Sequence, residues 1–283
     1  MTDNADQAQF WSSPAGQSWV THQESMDTVL QPVLDAVFAR AALGAGMSVI
    51  DIGCGTGASS LQAAGIVGDA GHVTGFDISP VLLGHARRRA AGLDNVTFIE
   101  GDAQVHAFEA ASADAIISRF GVMFFADTTA AFANMARALR PGAAMTMAAW
   151  GPAPQNPWFM VPAKVARARL GDPPKVDRTL PGPFAFEDAA RTQALLEAAG
   201  LHVEIDTQEL TLDGGTDPVV AAELCSRIGP ANSIMRQFEG TEEDRLAIRD
   251  GIAAEMGQWS ADRVRIPATI HIITARNTAR ITD

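Results

Sequence analysis

The chain has 283 residues, 47% of them hydrophobic and 19% charged, a balance that suits a folded protein with a substantial core. No apolar run approaches the roughly 18 residues of a membrane span, and a formal charge of −12 without a basic stripe weighs against nucleic acid as a partner. The opening MTDNADQAQFW carries neither a basic nor an apolar targeting segment, so the expected location is cytoplasmic.

Cys54 and Cys225 are the only cysteines, too few for a disulfide framework or a cysteine-rich metal site, and no metal is expected. Tyrosine is absent, and Lys164 and Lys175 are the only lysines, which removes any chemistry built on a Tyr-x-x-x-Lys pair. The run Arg87-Arg88-Arg89 lies in an Ala-rich helical stretch and reads as a solvated face.

From about residue 28 to residue 150, short apolar strands alternate with helical runs, the pattern of a parallel sheet with helices on both faces. The first predicted strand, Met47 to Ile52, runs into VIDIGCGTG (Val49 to Gly57). Three glycines at alternate positions after a buried strand, Gly53, Gly55 and Gly57, permit a sharp turn and let a ligand reach main-chain N–H groups that a Cβ would block. Asp51, Gly53, Cys54 and Gly55 are therefore candidate ligand-contacting residues. An ordinary tight turn is the alternative.

The second strand, His72 to Asp77, ends on a carboxylate twenty positions after Gly57. Such a group suits both hydroxyls of a ribose, with Ile78 beside it. Ser79 already supplies the N-cap of the next helix, with Pro80 at its first position and Gly92 past its end. A third strand, Asn95 to Glu100, leads into Gly101-Asp102-Ala103, where Asp102 is placed to accept from an adenine amino group; a surface turn is the alternative. His106 follows, facing the ligand's edge or solvent.

The fourth strand, Asp114 to Ser118, opens through SRFGVMFF into the crevice that doubly wound sheets use for ligands. Ser118 is expected on the cofactor side and Arg119, Phe120 and Met123 on the acceptor side, Arg119 suiting an anion and the apolar pair a flat or aliphatic body; core packing explains Phe120 and Met123 equally well. The next helix carries the stripe Phe132, Met135, Ala136 and Leu139, with Asp127 as cap and Pro141-Gly142 as terminator. A fifth strand, Ala143 to Trp150, places Trp150 near the acceptor or in rim packing.

Eight prolines between Pro152 and Pro183 predict a lid of loop and short helix. A helix from about Glu187 to Ala199 stops at Gly200, and a strand follows from His202 to Leu212. Residues from about Thr216 to Ser260 read as a second, helical excursion, with Asp217-Pro218 opening one helix and Thr241 to Asp244 resembling a capping box. The alternating Arg265 to Asn277 closes the chain as a strand antiparallel to its predecessor. The expected division is 1–150 for an N-terminal lid segment and cofactor-binding core, and 151–283 for cap insertions plus the elements that complete the same sheet.

Taken in order, these segments resemble the class I S-adenosylmethionine-dependent methyltransferases, in the small-molecule group similar to the ubiquinone and menaquinone biosynthesis enzymes. VIDIGCGTG is similar to the family's glycine-rich first motif, Asp77 to its ribose-binding acid, Gly101-Asp102-Ala103 to its adenine-side motif and LRPGAAMTMAAW to its fifth-strand entry. Gly142-Ala143-Ala144 departs from the usual repeated glycine, and no N-P-P-Y signature is present, which disfavours nucleobase amino groups as acceptors. The resemblance implies a Rossmann-like α/β sheet of seven mostly parallel strands with helical caps, S-adenosylmethionine as cofactor with S-adenosylhomocysteine as product, and a small-molecule methyl acceptor.

Alignment of the acceptor with the activated methyl dominates such a reaction, so no catalytic dyad is required. His22, which follows Trp11 and Trp19 in a segment suited to closing over the cofactor, is the candidate base; a capping or packed histidine is the alternative. Two rival functions stay open. Gly53-x-Gly55-x-x-Ala58 also approximates a dinucleotide fingerprint, as in an NAD(P)-dependent oxidoreductase, and a non-catalytic module binding an adenosyl ligand shares the same motifs.

Overall fold

The computed structural model describes residues 4–277. Its seven strands are β1 (Ser48–Ile52), β2 (His72–Asp77), β3 (Val96–Glu100), β4 (Ala113–Arg119), β5 (Leu139–Trp150), β6 (Leu201–Asp213) and β7 (Arg265–Asn277). They form one open sheet in the order β3-β2-β1-β4-β5-β7-β6. The first five are parallel, and β7 is antiparallel to both β5 and β6. The strand order reverses between β1 and β4. In open α/β sheets, the crevice beyond the carboxyl ends at that reversal is where ligands bind.

Helix α1 (Ala5–Ser12) and α2 (Pro14–Thr21) lead into α3 (Gln23–Ala41). On α3 the residues Met26, Val29, Leu30, Val33, Leu34 and Val37 are buried, an apolar stripe at helical spacing that packs on β4, β5, β6 and β7. Each such side chain contributes about 1.5–3 kcal/mol by leaving water. Helix α4 (Ala58–Val67) covers β1 and β2, and α5 (Pro80–Arg89) packs on β2 and β3. Ser79 caps α5 through Leu82 N–H, with Pro80 in the first turn, as its sequence indicates.

Helix α6 (Thr128–Ala136) ends earlier than its apolar stripe suggests. Leu139 is buried as expected, but as the first residue of β5, paired with Ala113. Pro141 and Gly142 sit inside the strand, where the register jumps from Ala113↔Leu139 to Ala115↔Ala144. An irregularity of this kind tolerates a proline without an N–H and uses the positive φ of Gly142, +80°.

The proline-rich excursion holds more helix than expected. Helix α7 (Pro157–Leu170) runs 14 residues with Pro157 in its first turn and Pro162 in its interior. Then α8 (Ala189–Ala198), capped by Asp188, leads to β6. Between β6 and β7 lie α9 (Pro218–Arg227), α10 (Pro230–Gln237) and α11 (Glu242–Met256). Asp217 caps α9, and Thr241 and Asp244 form the reciprocal capping box of α11. These three helices pack with α7 into a small helical cap. Among the described residues, no helix is long and apolar enough to cross a membrane.

Candidate active site

The site grows from the turn between β1 and α4. Gly53, Gly55 and Gly57 all have positive φ, +65°, +55° and +89°, which L side chains rarely adopt. Gly53 also lies back to back with Gly121 from the turn after β4: a Cβ on Gly53 would meet Gly121 Cα at 2.5 Å, and one on Gly121 would meet Ile52 O at 2.5 Å. Ser118 fastens the same junction, its buried Oγ donating to Ile52 O (2.7 Å) and accepting from Gly121 N–H (3.1 Å). At Gly55, by contrast, the Cβ direction opens on free space.

Asp77, at the carboxyl end of β2, accepts from Gly55 N–H (2.8 Å) and Ser79 N–H (2.9 Å). It thereby ties the glycine turn to the next strand. Burial pushes its pKa up to about 6, against the pull of those N–H donors. Ile78 beside it is half-buried. Cys54 is buried, its N–H bonded to Phe76 O, and burial raises its thiol well above the usual range.

Asp51 lies beneath the turn with no exposed surface. Its Oδ2 accepts from Ser59 Oγ and Ser60 Oγ, both at 2.6 Å. Burial raises its pKa to about 6, opposed by the two hydroxyls and by Arg119. Arg119 donates to Asp27 of α3 (3.5 Å), and Asp27 also pairs with Arg89 (2.8 Å). Among the described residues, Asp51 Oδ1 and Arg119 Nη1 are buried polar atoms left without a hydrogen-bond partner.

At the far end of the crevice, Asp102 Oδ1 accepts from Gln104 N–H (2.9 Å) and from the carboxamide of Asn4 (2.8 Å). Asn4 Oδ1 in turn accepts from Ala126 N–H (2.6 Å). Gly101 N–H bonds to Asp77 O, and Ala103 is buried with its carbonyl held by Asn134 Nδ2. His106 packs edge-on to Phe76 and Phe108.

The N-terminal helices close over this crevice. Trp11 O accepts from Ser79 Oγ (2.8 Å), and the Trp11 ring meets Phe124 and Trp19 edge-on at 5.5 and 6.0 Å. Phe120, at φ +66°, stacks on Trp150 with ring centroids 4.1 Å apart. Phe159 and Phe184 extend that aromatic wall.

The structure thus brings Asp51, Gly53, Cys54, Gly55, Asp77, Ile78, Gly101, Asp102, Ala103 and Ser118 to the carboxyl edge of β1 to β4. Phe120 and Trp150 stand together on the aromatic wall. Met123 is 1% exposed and packs in the core, its carbonyl bonded to Gly182 N–H. Arg119, expected to face an acceptor, is turned toward Asp27 and Asp51.

His22 is not brought to the glycine turn. It lies at the α2–α3 junction and lines an open cleft of about 370 Å³ with Val219, Glu223, Leu224 and Arg227. Burial and the Arg227 charge lower its pKa. Asp27, which marks the crevice side of α3, is five residues on, roughly 140° around the helix. The residues that the motifs leave unmarked are Gly121, Asp27 and Asn4; Trp11 lies in the N-terminal segment expected to close over the cofactor, and Arg89, expected on a solvated face, is instead bonded to Asp27 and Thr56 O. Gly121 lies inside the quoted SRFGVMFF without being singled out there, whereas Asn4 reaches Asp102 across 98 positions with no local signal.

Fold and glycine turn together define the Rossmann-like class of α/β proteins. A family model described as a methyltransferase domain matches residues 49–142. Nocamycin O-methyltransferase of Saccharothrix syringae is 30% identical over 252 residues, 83% of this chain and 84% of that protein. Aklanonic acid methyltransferase of Streptomyces sp. (strain C5) is 39% identical over 99 residues, which covers 34% of this chain and only 45% of that protein. A solved methyltransferase-like structure from Anabaena variabilis, described as a putative methyltransferase of antibiotic biosynthesis, superposes with TM-score 0.59 at 16% identity, over 86% of this chain and 96% of that one. The chain belongs to the class I S-adenosylmethionine-dependent methyltransferases.

Proposed function

We propose that this protein transfers the methyl group of S-adenosylmethionine to an oxygen of an apolar small molecule. One observation carries the reading: a bare glycine turn at the sheet's reversal point faces the terminal carboxylate of β2. The residues fit the cofactor. Gly53, Cys54 and Gly55 offer main-chain groups where Gly55 leaves open space, Asp77 takes the ribose hydroxyls beside Ile78, and Gly101, Asp102 and Ala103 take the adenine edge. Asp51 and Ser118 hold the turn in place.

Bound there, the sulfonium would supply a methyl group already activated for displacement. The protein's part is alignment and exclusion of water, and near-attack positioning is worth roughly 7–11 kcal/mol. Trp11 and Phe124 cover the crevice, and the half-buried Phe120, backed by the buried Trp150 on which it stacks, offers a flat apolar ring suited to an aromatic or polycyclic acceptor. No side chain is assigned as base. The oxygen acceptor is supported by the name of the relative aligned over most of its length.

The reading extends to a cytoplasmic protein with no nucleic-acid partner, supported by free buried cysteines and the net charge of −12. Ligand-linked stabilisation tests the core of it. S-adenosylhomocysteine at 100 times its dissociation constant stabilises the fold by about 2.7 kcal/mol and NADH does not; stabilisation by NADH alone would point to the oxidoreductase. Release of S-adenosylhomocysteine with phenolic and carboxylic acceptors then separates an enzyme from a binding module, whose release stays at background.

A further inference from the structure

We propose that Asn4 is an internal occupant of the adenine site, a latch that holds the N-terminal helices closed over the crevice and that the cofactor's base must expel in order to bind. The proposal rests on the methyltransferase reading and extends it, because it gives the N-terminal segment a part in cofactor exchange.

The first observation is what Asn4 touches. Its carboxamide donates to Asp102 Oδ1 (2.8 Å) while its main-chain N–H donates to Asp102 Oδ2 (3.3 Å), so donors from one residue engage both carboxylate oxygens. Its Oδ1 accepts from Ala126 N–H (2.6 Å), and its Nδ2 also donates to Gln104 Oε1 (3.4 Å). A carboxamide carries a donor and an acceptor on one carbon, the arrangement that adenine presents with its 6-amino group and N1. Asn4 thus offers Asp102 the same bond that the base would offer. With only 5% of Asn4 exposed, the contact is enclosed, and a base that uses Asp102 has to take its place.

The second observation is what Asn4 forgoes. It is the N-cap residue of α1, a position where asparagine ordinarily accepts from its own helix, yet its side chain makes no capping bond. Ser13, the N-cap of α2, does accept from Ala15 N–H. An expelled carboxamide therefore has a second partner at hand, the N–H groups in the first turn of α1. Trp11 O, held by Ser79 Oγ (2.8 Å), fastens the other end of α1 beside Asp77, so release at Asn4 leaves the segment attached. Asn4 has two arrangements, latch and cap, and the cofactor favours the second.

Titration calorimetry with S-adenosylhomocysteine on wild type, Asn4→Ala and Asn4→Ser makes the test. Alanine removes latch and cap together; serine removes the latch, being too short to join Asp102 to Ala126, and keeps a cap for α1. Asn4→Ala should tighten binding by up to about tenfold and Asn4→Ser by at least as much. Apparent affinity scales with the fraction of molecules already open, so a tenfold gain corresponds to roughly one wild-type molecule in ten with the latch undone.

Weaker binding by both variants would make Asn4 a part of the adenine site and overturn the proposal. Unchanged binding by both would do so as well, by showing that Asn4 and the base do not compete. A gain confined to Asn4→Ala would trace to a loosened α1 and not to the latch, with the same consequence. If none of the three proteins binds S-adenosylhomocysteine, the methyltransferase reading itself falls and takes this proposal with it, an outcome distinct from the others.

Discussion

Asp51→Asn makes the burial of charge under the glycine turn measurable. The carboxylate has no exposed surface, accepts two serine hydroxyls on one oxygen and leaves the other without a partner. Its pKa is raised from 3.8 to about 6, chiefly by burial, with the attraction of Arg119 already counted. At about 1.36 kcal/mol per pH unit, the ionised group costs the unliganded fold roughly 3 kcal/mol well above pH 6. Below about pH 4 it is protonated in both folded and unfolded chains, and the cost vanishes. Between those limits the folded state holds the extra proton, so this group's contribution falls as pH rises.

Asparagine keeps a carbonyl for the serines and removes the charge, though a neutral acceptor weakens those two bonds. We expect Asp51→Asn to gain about 1–3 kcal/mol at pH 8, read by urea denaturation, and close to nothing near pH 4. The same variant should lose affinity for S-adenosylhomocysteine. A loss of stability at pH 8, or a gain independent of pH, would refute the argument.

Other substitutions probe the neighbouring contacts. Gly121→Ala forces a Cβ to within 2.6 Å of Gly53 Cα; it should cost about 1–3 kcal/mol in thermal denaturation and weaken S-adenosylhomocysteine binding. Asn4→Ala frees Asp102 of the carboxamide that competes for it, so S-adenosylhomocysteine should bind more tightly, by up to about tenfold in calorimetry. His22→Ala should leave turnover within about threefold, far from the 10²- to 10⁴-fold loss expected of a general base, because its ring faces the α9 cleft; a loss of that larger size would restore it as the base.

Much of the fold was legible because its signals are local. Ser79 with Pro80, Asp217 with Pro218 and the Thr241–Asp244 box are short-range devices, and each caps the helix expected. The glycine turn is equally local, since its positive φ values are demands of one loop. The end of α6 was not legible, because Leu139 satisfies a helical stripe and a buried strand alike, and only pairing with Ala113 decides between them. Nor does proline count alone reveal α7, where Pro157 falls in the one turn that needs no N–H.

In the site, the residues missed act through space. Gly121 matters because another glycine stands behind it, and Asp27 because two arginines, Arg89 from α5 and Arg119 from β4, converge on it. Arg119 itself was visible as a cation at the end of β4. Its direction was not, for strand alternation says which face a residue takes but not which partner waits there.

The central claim is that an adenosyl amino acid lies across the turn after β1. A crystal structure of the protein grown with S-adenosylhomocysteine tests it most directly. The account predicts ligand density along Gly53 to Gly55 with the ribose hydroxyls on Asp77. Density lodged elsewhere, or no ligand density along the turn with saturating ligand present, would contradict it.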